Sequence, residues 1–133
     1  LQHKMEQYIN ENKLNDAVTF LGYQTNPYKY VSKCDLFVCA SFAEGFSTAA
    51  TEALIVGTPV CTVDVSGMKE MLGENDEWGI VTENGSEALY LGIKRLLDSP
   101  DLLVYYKRRA AIRGKDFYAK KTVKDVEEML IQL

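Results

Sequence analysis

The sequence predicts an α/β domain with a parallel sheet flanked by helices, and three observations predict it. Short apolar runs alternate with helical patterns four times along the 133 residues. Two of those runs, DLFVCAS at 35–41 and PVCTV at 59–63, are almost continuously apolar, as strands covered on both faces must be. The links between runs are short, which suits right-handed β–α–β crossovers. A chain of this length suits one domain with a sizeable core, so residues 1–133 are expected to form a single unit.

The elements follow in order. Leu1 to Lys13 is polar, with Met5, Tyr8 and Ile9 at helical spacing, and predicts a surface helix. AVTFLG at 17–22 is a β-rich run ending at a glycine and predicts a first strand. Asn26-Pro27 marks a turn, and Pro27 suits the start of a short helix over 28–33. The DLFVCAS strand comes next, then a helix from Ser47 to Val56 closed by Gly57, then the PVCTV strand. A short helix over 66–72 begins near Gly67. The acidic loop GENDEW follows as surface, and GIVT at 79–82 is a brief strand.

Ser86 to Asp98 is amphipathic, with Leu89, Ile93, Leu96 and Leu97 on one stripe and Ser86 placed like a cap. Pro100 breaks it. Two further helices are expected, over 101–113 and 122–133. The C-terminal stretch KRRAAIRGKDFYAKK is basic against an acidic remainder and reads as a solvated helical face, with Phe117 and Tyr118 packing.

Composition removes several classes of function. Nearly half the residues are apolar and a quarter are charged, as in ordinary soluble proteins. A net charge of −4 argues against a general nucleic-acid binder, whose footprint is basic. No run of about 18 apolar residues exists to cross a membrane as a helix. Cys39 and Cys61 sit in apolar runs and, with Cys34, make an odd number. They read as buried thiols of a reducing compartment, not as a disulfide framework. His3 is the one histidine, so no metal site is expected. The chain begins at Leu1 without an initiator methionine and reads as a piece of something longer.

In a parallel sheet, ligands sit beyond the carboxyl ends of the strands. EGFSTAATEAL at 44–54 falls there, just after a central strand and at the start of a helix. A helix N-terminus offers unpaired N–H groups and about half a unit of positive charge. Small residues at Gly45, Ser47, Thr48, Ala49 and Ala50 would let a phosphate approach those donors. Glu52 lies roughly 8 Å further along the axis. Carboxylates accept hydrogen bonds from paired hydroxyls, as on a ribose. A sugar at Glu44, a ribose at Glu52 and a diphosphate between them describe a nucleotide-sugar. Two solvated surface glutamates would give the same spacing, so the pattern alone does not choose.

The run DLFVCASFAEGFSTAATEALIVGTPVCTVDVSGMKEML supplies the wider context. It resembles the C-terminal domain of the family 4 retaining glycosyltransferases, of GT-B architecture. There a buried strand ends at Ser, Glu-Gly-Phe follows, Glu-Ala comes after seven intervening residues, then Gly-Thr-Pro-Val. A later glutamate corresponds to Glu70. FLGYQ before this run and GIVTENGSEALYLGIKRLLDSP after it keep the family's order, so the likeness extends from about Val18 to Arg113.

The resemblance implies a Rossmann-like domain, the N-terminally truncated C-terminal half of a longer two-domain enzyme. It implies Glu44 as the catalytic residue, orienting the donor sugar. Gly45, Phe46, Ser47 and Thr48 would present N–H groups to sugar and diphosphate. Glu52 would hold the ribose, and Tyr23 would lie near the base. The family usually has Gly-Leu where this chain has Ser47-Thr48. The donor substrate would be a nucleotide-diphosphate-sugar, with no metal or other cofactor. The acceptor-binding N-terminal domain would be the missing partner, without which the piece is inactive. A cytoplasmic enzyme at the inner membrane face, making polysaccharide, fits the family.

Two other classes compete. A nucleotide-sugar 2-epimerase on the same architecture would need a histidine and acid/base carboxylates around the sugar, and His3 is not suitably placed. A non-catalytic receiver-like module would want an acidic cluster at strand ends and a lysine after a later strand, a set that Asp35 and Asp64 do not make.

Overall fold

A computed structural model describes residues 1–40 and 47–131, with 119–129 described by backbone alone. Among the described residues nine elements follow in order: α1 (Gln2–Glu11), α2 (Tyr28–Val31), β1 (Phe37–Cys39), α3 (Thr48–Ile55), β2 (Val60–Val63), α4 (Met68–Leu72), β3 (Ile80–Thr82), α5 (Ser86–Leu97) and α6 (Pro100–Ile131). The strands form a parallel sheet in the order β1-β2-β3, with Phe37 opposite Val60 and Cys61 opposite Ile80. Every residue of β2 is buried, as a central parallel strand requires.

Alternation along β2 builds two cores. Val60 faces Ala50, Ala53 and Leu54 of α3, Met71 and Leu72 of α4, and Ala110 and Phe117 of α6. Cys61 faces the other way, with Ile80, Leu96 of α5 and Tyr106 of α6. Helix α6 therefore starts on the α5 side and continues onto the α3 side. Burial, and secondarily the charge of Asp76, pushes the Cys61 thiol up to about 11.

The first predicted strand does not form. Residues 18–22 carry no ladder, and Val18, Phe20 and Leu21 are exposed. A β-rich run becomes a strand only when a neighbour completes its hydrogen bonds. Among the described residues none pairs with the outer edge of β1, so Val38, expected to be covered, is 40% exposed. Cys39 is likewise only half-buried, and Cys34 is exposed.

The two expected C-terminal helices are one, α6, 32 residues long. Gly114, where a break was expected, lies inside the helix against α3. A Cβ there would sit 2.3 Å from the Leu54 carbonyl oxygen. The glycine permits contact between helices and does not end one. On α5, Gly85 is the N-cap and no side chain caps it, so Ser86 begins the helix without the predicted role. The buried stripe of α5 runs through Gly92 and Leu96, while Leu97 is exposed.

The GENDEW loop is more than surface. The Asp76 carboxylate accepts from Val81 N (2.9 Å), and its carbonyl accepts from the buried Tyr106 hydroxyl (2.8 Å). Asp76 thus occupies a donor on the outer edge of β3. From the basic stretch, Arg109 donates to the Glu77 carbonyl, and Arg113 donates to those of Met71 and Glu70. These two arginines pin the loop and α4. Phe117 packs as expected, but Tyr118 is exposed.

Candidate functional site

Parallel pairing brings the carboxyl ends of the three strands together, and threonine hydroxyls stitch that edge. Thr62 donates to the Cys39 carbonyl (2.9 Å), and the Thr82 hydroxyl lies between the carbonyls of Thr62 (3.3 Å) and Glu83 (3.0 Å). Helix α3 begins at this edge, beyond β1. Ser47, extended at φ −73 and ψ 112, is its N-cap, and its Oγ accepts from Ala50 N at 3.2 Å. Its carbonyl takes both Thr51 N and the Thr51 hydroxyl. Helix geometry leaves the amides of Thr48 and Ala49, two exposed residues, without partners inside the helix and directed out along its axis. Two donors at the positive end of a helix form the elementary anion site.

One turn further in, Glu52 is half-buried and faces α2. Its Oε1 accepts from the Tyr28 hydroxyl at 2.9 Å. The hydrogen bond to Glu52, reinforced by its charge, raises the Tyr28 ionisation above the ordinary phenol value. The phenol is therefore a neutral donor throughout the usual working range of pH. Beyond β2, Lys69 on α4 pairs with Asp64 at 3.0 Å, which raises the lysine's ionisation in turn.

Of the residues singled out in the sequence, Ser47, Thr48 and Glu52 share one helix at the expected edge. Tyr23 is 92% exposed, in the loop leading into α2. Glu44, Gly45 and Phe46 lie outside the described residues. Two contacts near this edge were missed. Tyr28 meets Glu52 across 24 positions of sequence, a distance over which no local pattern speaks. The Asp64–Lys69 pair spans only the β2–α4 turn, and its opposite charges were there to be read. Among the described residues no group of three or more His, Cys, Asp or Glu side chains could hold a metal ion, and no helix is long and apolar enough to cross a membrane.

Comparison with known proteins gives this geometry a family. The family described as glycosyl transferases group 1 matches residues 1–113. An N-acetylgalactosamine-N,N'-diacetylbacillosaminyl-diphospho-undecaprenol 4-alpha-N-acetylgalactosaminyltransferase of Campylobacter jejuni is 36% identical over 98% of this chain. The lipopolysaccharide core biosynthesis glycosyltransferase LpsD of Rhizobium meliloti is 30% identical over 76% of it. The chain spans 36% and 29% of those two proteins, about a third of their length.

Among solved structures, sucrose-phosphate synthase of Thermosynechococcus elongatus superposes with a TM-score of 0.77 at 24% identity, over 98% of this chain and 35% of that one. Anabaena HepE in complex with UDP-glucose gives a TM-score of 0.76 at 23% identity, over 98% and 36%. At such identities the structures speak for the fold alone, while the family match and the Campylobacter relative speak for descent. The chain therefore belongs to the glycosyl transferases group 1 family, with the fold of the C-terminal domain of a GT-B glycosyltransferase.

Proposed function

We propose that residues 1–133 form the nucleotide-sugar-binding domain of a family 4 retaining glycosyltransferase, in a longer chain whose other domain binds the acceptor. The observation that carries this reading is the Ser47-capped start of α3 at the carboxyl edge of the sheet, with Glu52 held one turn behind it. The amides of Thr48 and Ala49 take the donor's diphosphate. Glu52 takes the ribose hydroxyls. Glu44 orients the sugar, Gly45 and Phe46 add backbone donors, and Tyr23 lies near the base.

In transfer with retention, the bond between the anomeric carbon and the diphosphate breaks and a bond to an acceptor hydroxyl forms. Negative charge grows on the departing diphosphate, and a helix N-terminus is a preorganised stabiliser of such charge. The donor then needs no divalent cation, and its binding survives EDTA. HepE is solved with UDP and with UDP-glucose, which supports a nucleotide-sugar donor here. The Campylobacter relative is named for a diphospho-undecaprenol. A lipid-borne acceptor and a station at the inner membrane face are accordingly part of the proposal.

The test titrates the complete protein with nucleotides and nucleotide-sugars while following the amide resonances of Gly45 to Thr48. Glu52→Ala should weaken nucleotide binding, whereas Glu74→Ala in the exposed loop should not. Equal affinities in the two variants would remove the ribose assignment.

A further inference from the structure

We propose that Tyr28 is a positioning residue, whose hydroxyl holds the Glu52 carboxylate in the orientation that receives a ribose diol and so sets the preference for ribo- over 2′-deoxyribonucleotides. The inference rests on the ribose reading of Glu52 and goes one residue beyond it.

A glutamate on a helix surface turns about three side-chain torsions, and fixing it on binding costs affinity. Here one carboxylate oxygen is already engaged. Tyr28 Oη donates to Oε1 at 2.9 Å, which leaves Oε2 and the remaining lone-pair direction of Oε1 as acceptors. Two adjacent acceptor positions on one fixed carboxylate match two adjacent hydroxyls on a ribose.

The phenol comes from an anchored support. Pro27 starts α2, the Tyr28 carbonyl accepts from Ser32 N (2.9 Å), and the Val31 carbonyl accepts from the Thr58 hydroxyl (2.7 Å). Thr58 is buried in the turn between α3 and β2, so α2 is tied to the helix that carries Glu52. The tyrosine itself is 42% exposed. Its ring is not a core block, and its hydroxyl has one described partner, Glu52. The raised ionisation of Tyr28 keeps the proton on the phenol, where the donation needs it.

The experiment measures binding to the complete protein by calorimetry, using UDP, GDP and ADP beside the 2′-deoxy form of each. The parent should prefer the ribo form of whichever nucleotide it binds, and Glu52→Ala should abolish that preference. Tyr28→Phe, which keeps the half-exposed ring and the fold, should lose roughly 2- to 12-fold for the ribo form, the cost of ordering one long side chain. Its affinity for the deoxy form should barely move. In the Tyr28→Phe/Glu52→Ala double variant, the tyrosine change should have no further effect on the ribo form.

If Glu52→Ala abolishes the preference while Tyr28→Phe retains it in full, or weakens both forms equally, the role given to Tyr28 is overturned. If the parent shows no preference, or Glu52→Ala leaves it intact, the ribose reading itself fails. If none of the three nucleotides binds, donor binding by this domain fails with it.

Discussion

The Arg109 guanidinium lies 4.0 Å from the centre of the Trp78 ring while its Nε donates to the Glu77 carbonyl at 2.8 Å. Arg113 stands beside it, over both Trp78 and Phe117. One turn of α6 therefore fastens the loop that feeds β3. A hydrogen bond from a charged donor is worth about 1.5–3 kcal/mol, and a partly exposed cation–π contact about 0.5–1 kcal/mol. Arg109→Ala should accordingly cost about 2–4 kcal/mol in chemical denaturation. Arg109→Lys, which keeps the charge but loses the planar fork, should cost less. A loss under about 0.5 kcal/mol for the alanine variant, the size of an ordinary surface substitution, would show that the loop holds itself.

Gly114 lets α6 pack directly on the backbone of α3. An added Cβ would stand 2.3 Å from the Leu54 carbonyl oxygen and 2.7 Å from the Ile55 Cα, both backbone atoms that cannot swing aside. Alanine is normally the better helix former by about 1 kcal/mol. At this position Gly114→Ala should instead destabilise by about 1–3 kcal/mol through overpacking. Lys115→Ala, at an exposed neighbouring position, should change stability by less than about 0.5 kcal/mol. Thermal melts of the two variants check this, and a stabilised Gly114→Ala would mean that the helices are not in contact there.

Gly114 also shows where the sequence was legible and where it was not. Apolar runs with partners on both sides, such as PVCTV, announced themselves, because burial on two faces leaves a pattern inside the strand. AVTFLG has equal β character and stays an exposed loop, since a ladder is a property of two segments. The helix expected to end at residue 113 runs on through Gly114, because a close approach between helices leaves no local mark. The same holds at the candidate site. Helix α3 could be read from its small residues and the Gly57 that closes it, though Ser47 proves to be its cap and not its first residue. The tyrosine that fixes Glu52 comes from another element and could not.

Ser47 joins stability to function at one atom. Its Oγ satisfies Ala50 N at the buried start of α3, and it is itself buried. Ser47→Ala leaves that donor unpaired and should cost about 1 kcal/mol, within the range for lost N-caps. Under the proposed function, frayed amides at Thr48 and Ala49 should also hold diphosphate less well. Urea unfolding and nucleotide titration of the same variant check both effects. A variant that loses stability but binds nucleotide unchanged would place the anion elsewhere.

The loop fastened by Arg109 should carry its own dependence on pH. Hydrogen bonds from the backbone of Asn75, and then of Glu77 itself, hold the Glu77 carboxyl below its ordinary value of 4.5, with Arg109 a smaller contributor. A carboxyl depressed in the folded state contributes stability that is fully present above the unfolded value. The contribution is lost as pH falls through the lower folded value. Acid should therefore loosen the 74–78 loop below about pH 4.5. Glu77→Gln should respond less to pH across that window than the parent, while keeping part of the Asn75 contact through its amide oxygen. Trp78 lies in this loop and is the chain's one tryptophan, so its fluorescence reports the change without a label. An identical acid titration of parent and variant would assign the depressed carboxyl no part in holding the loop.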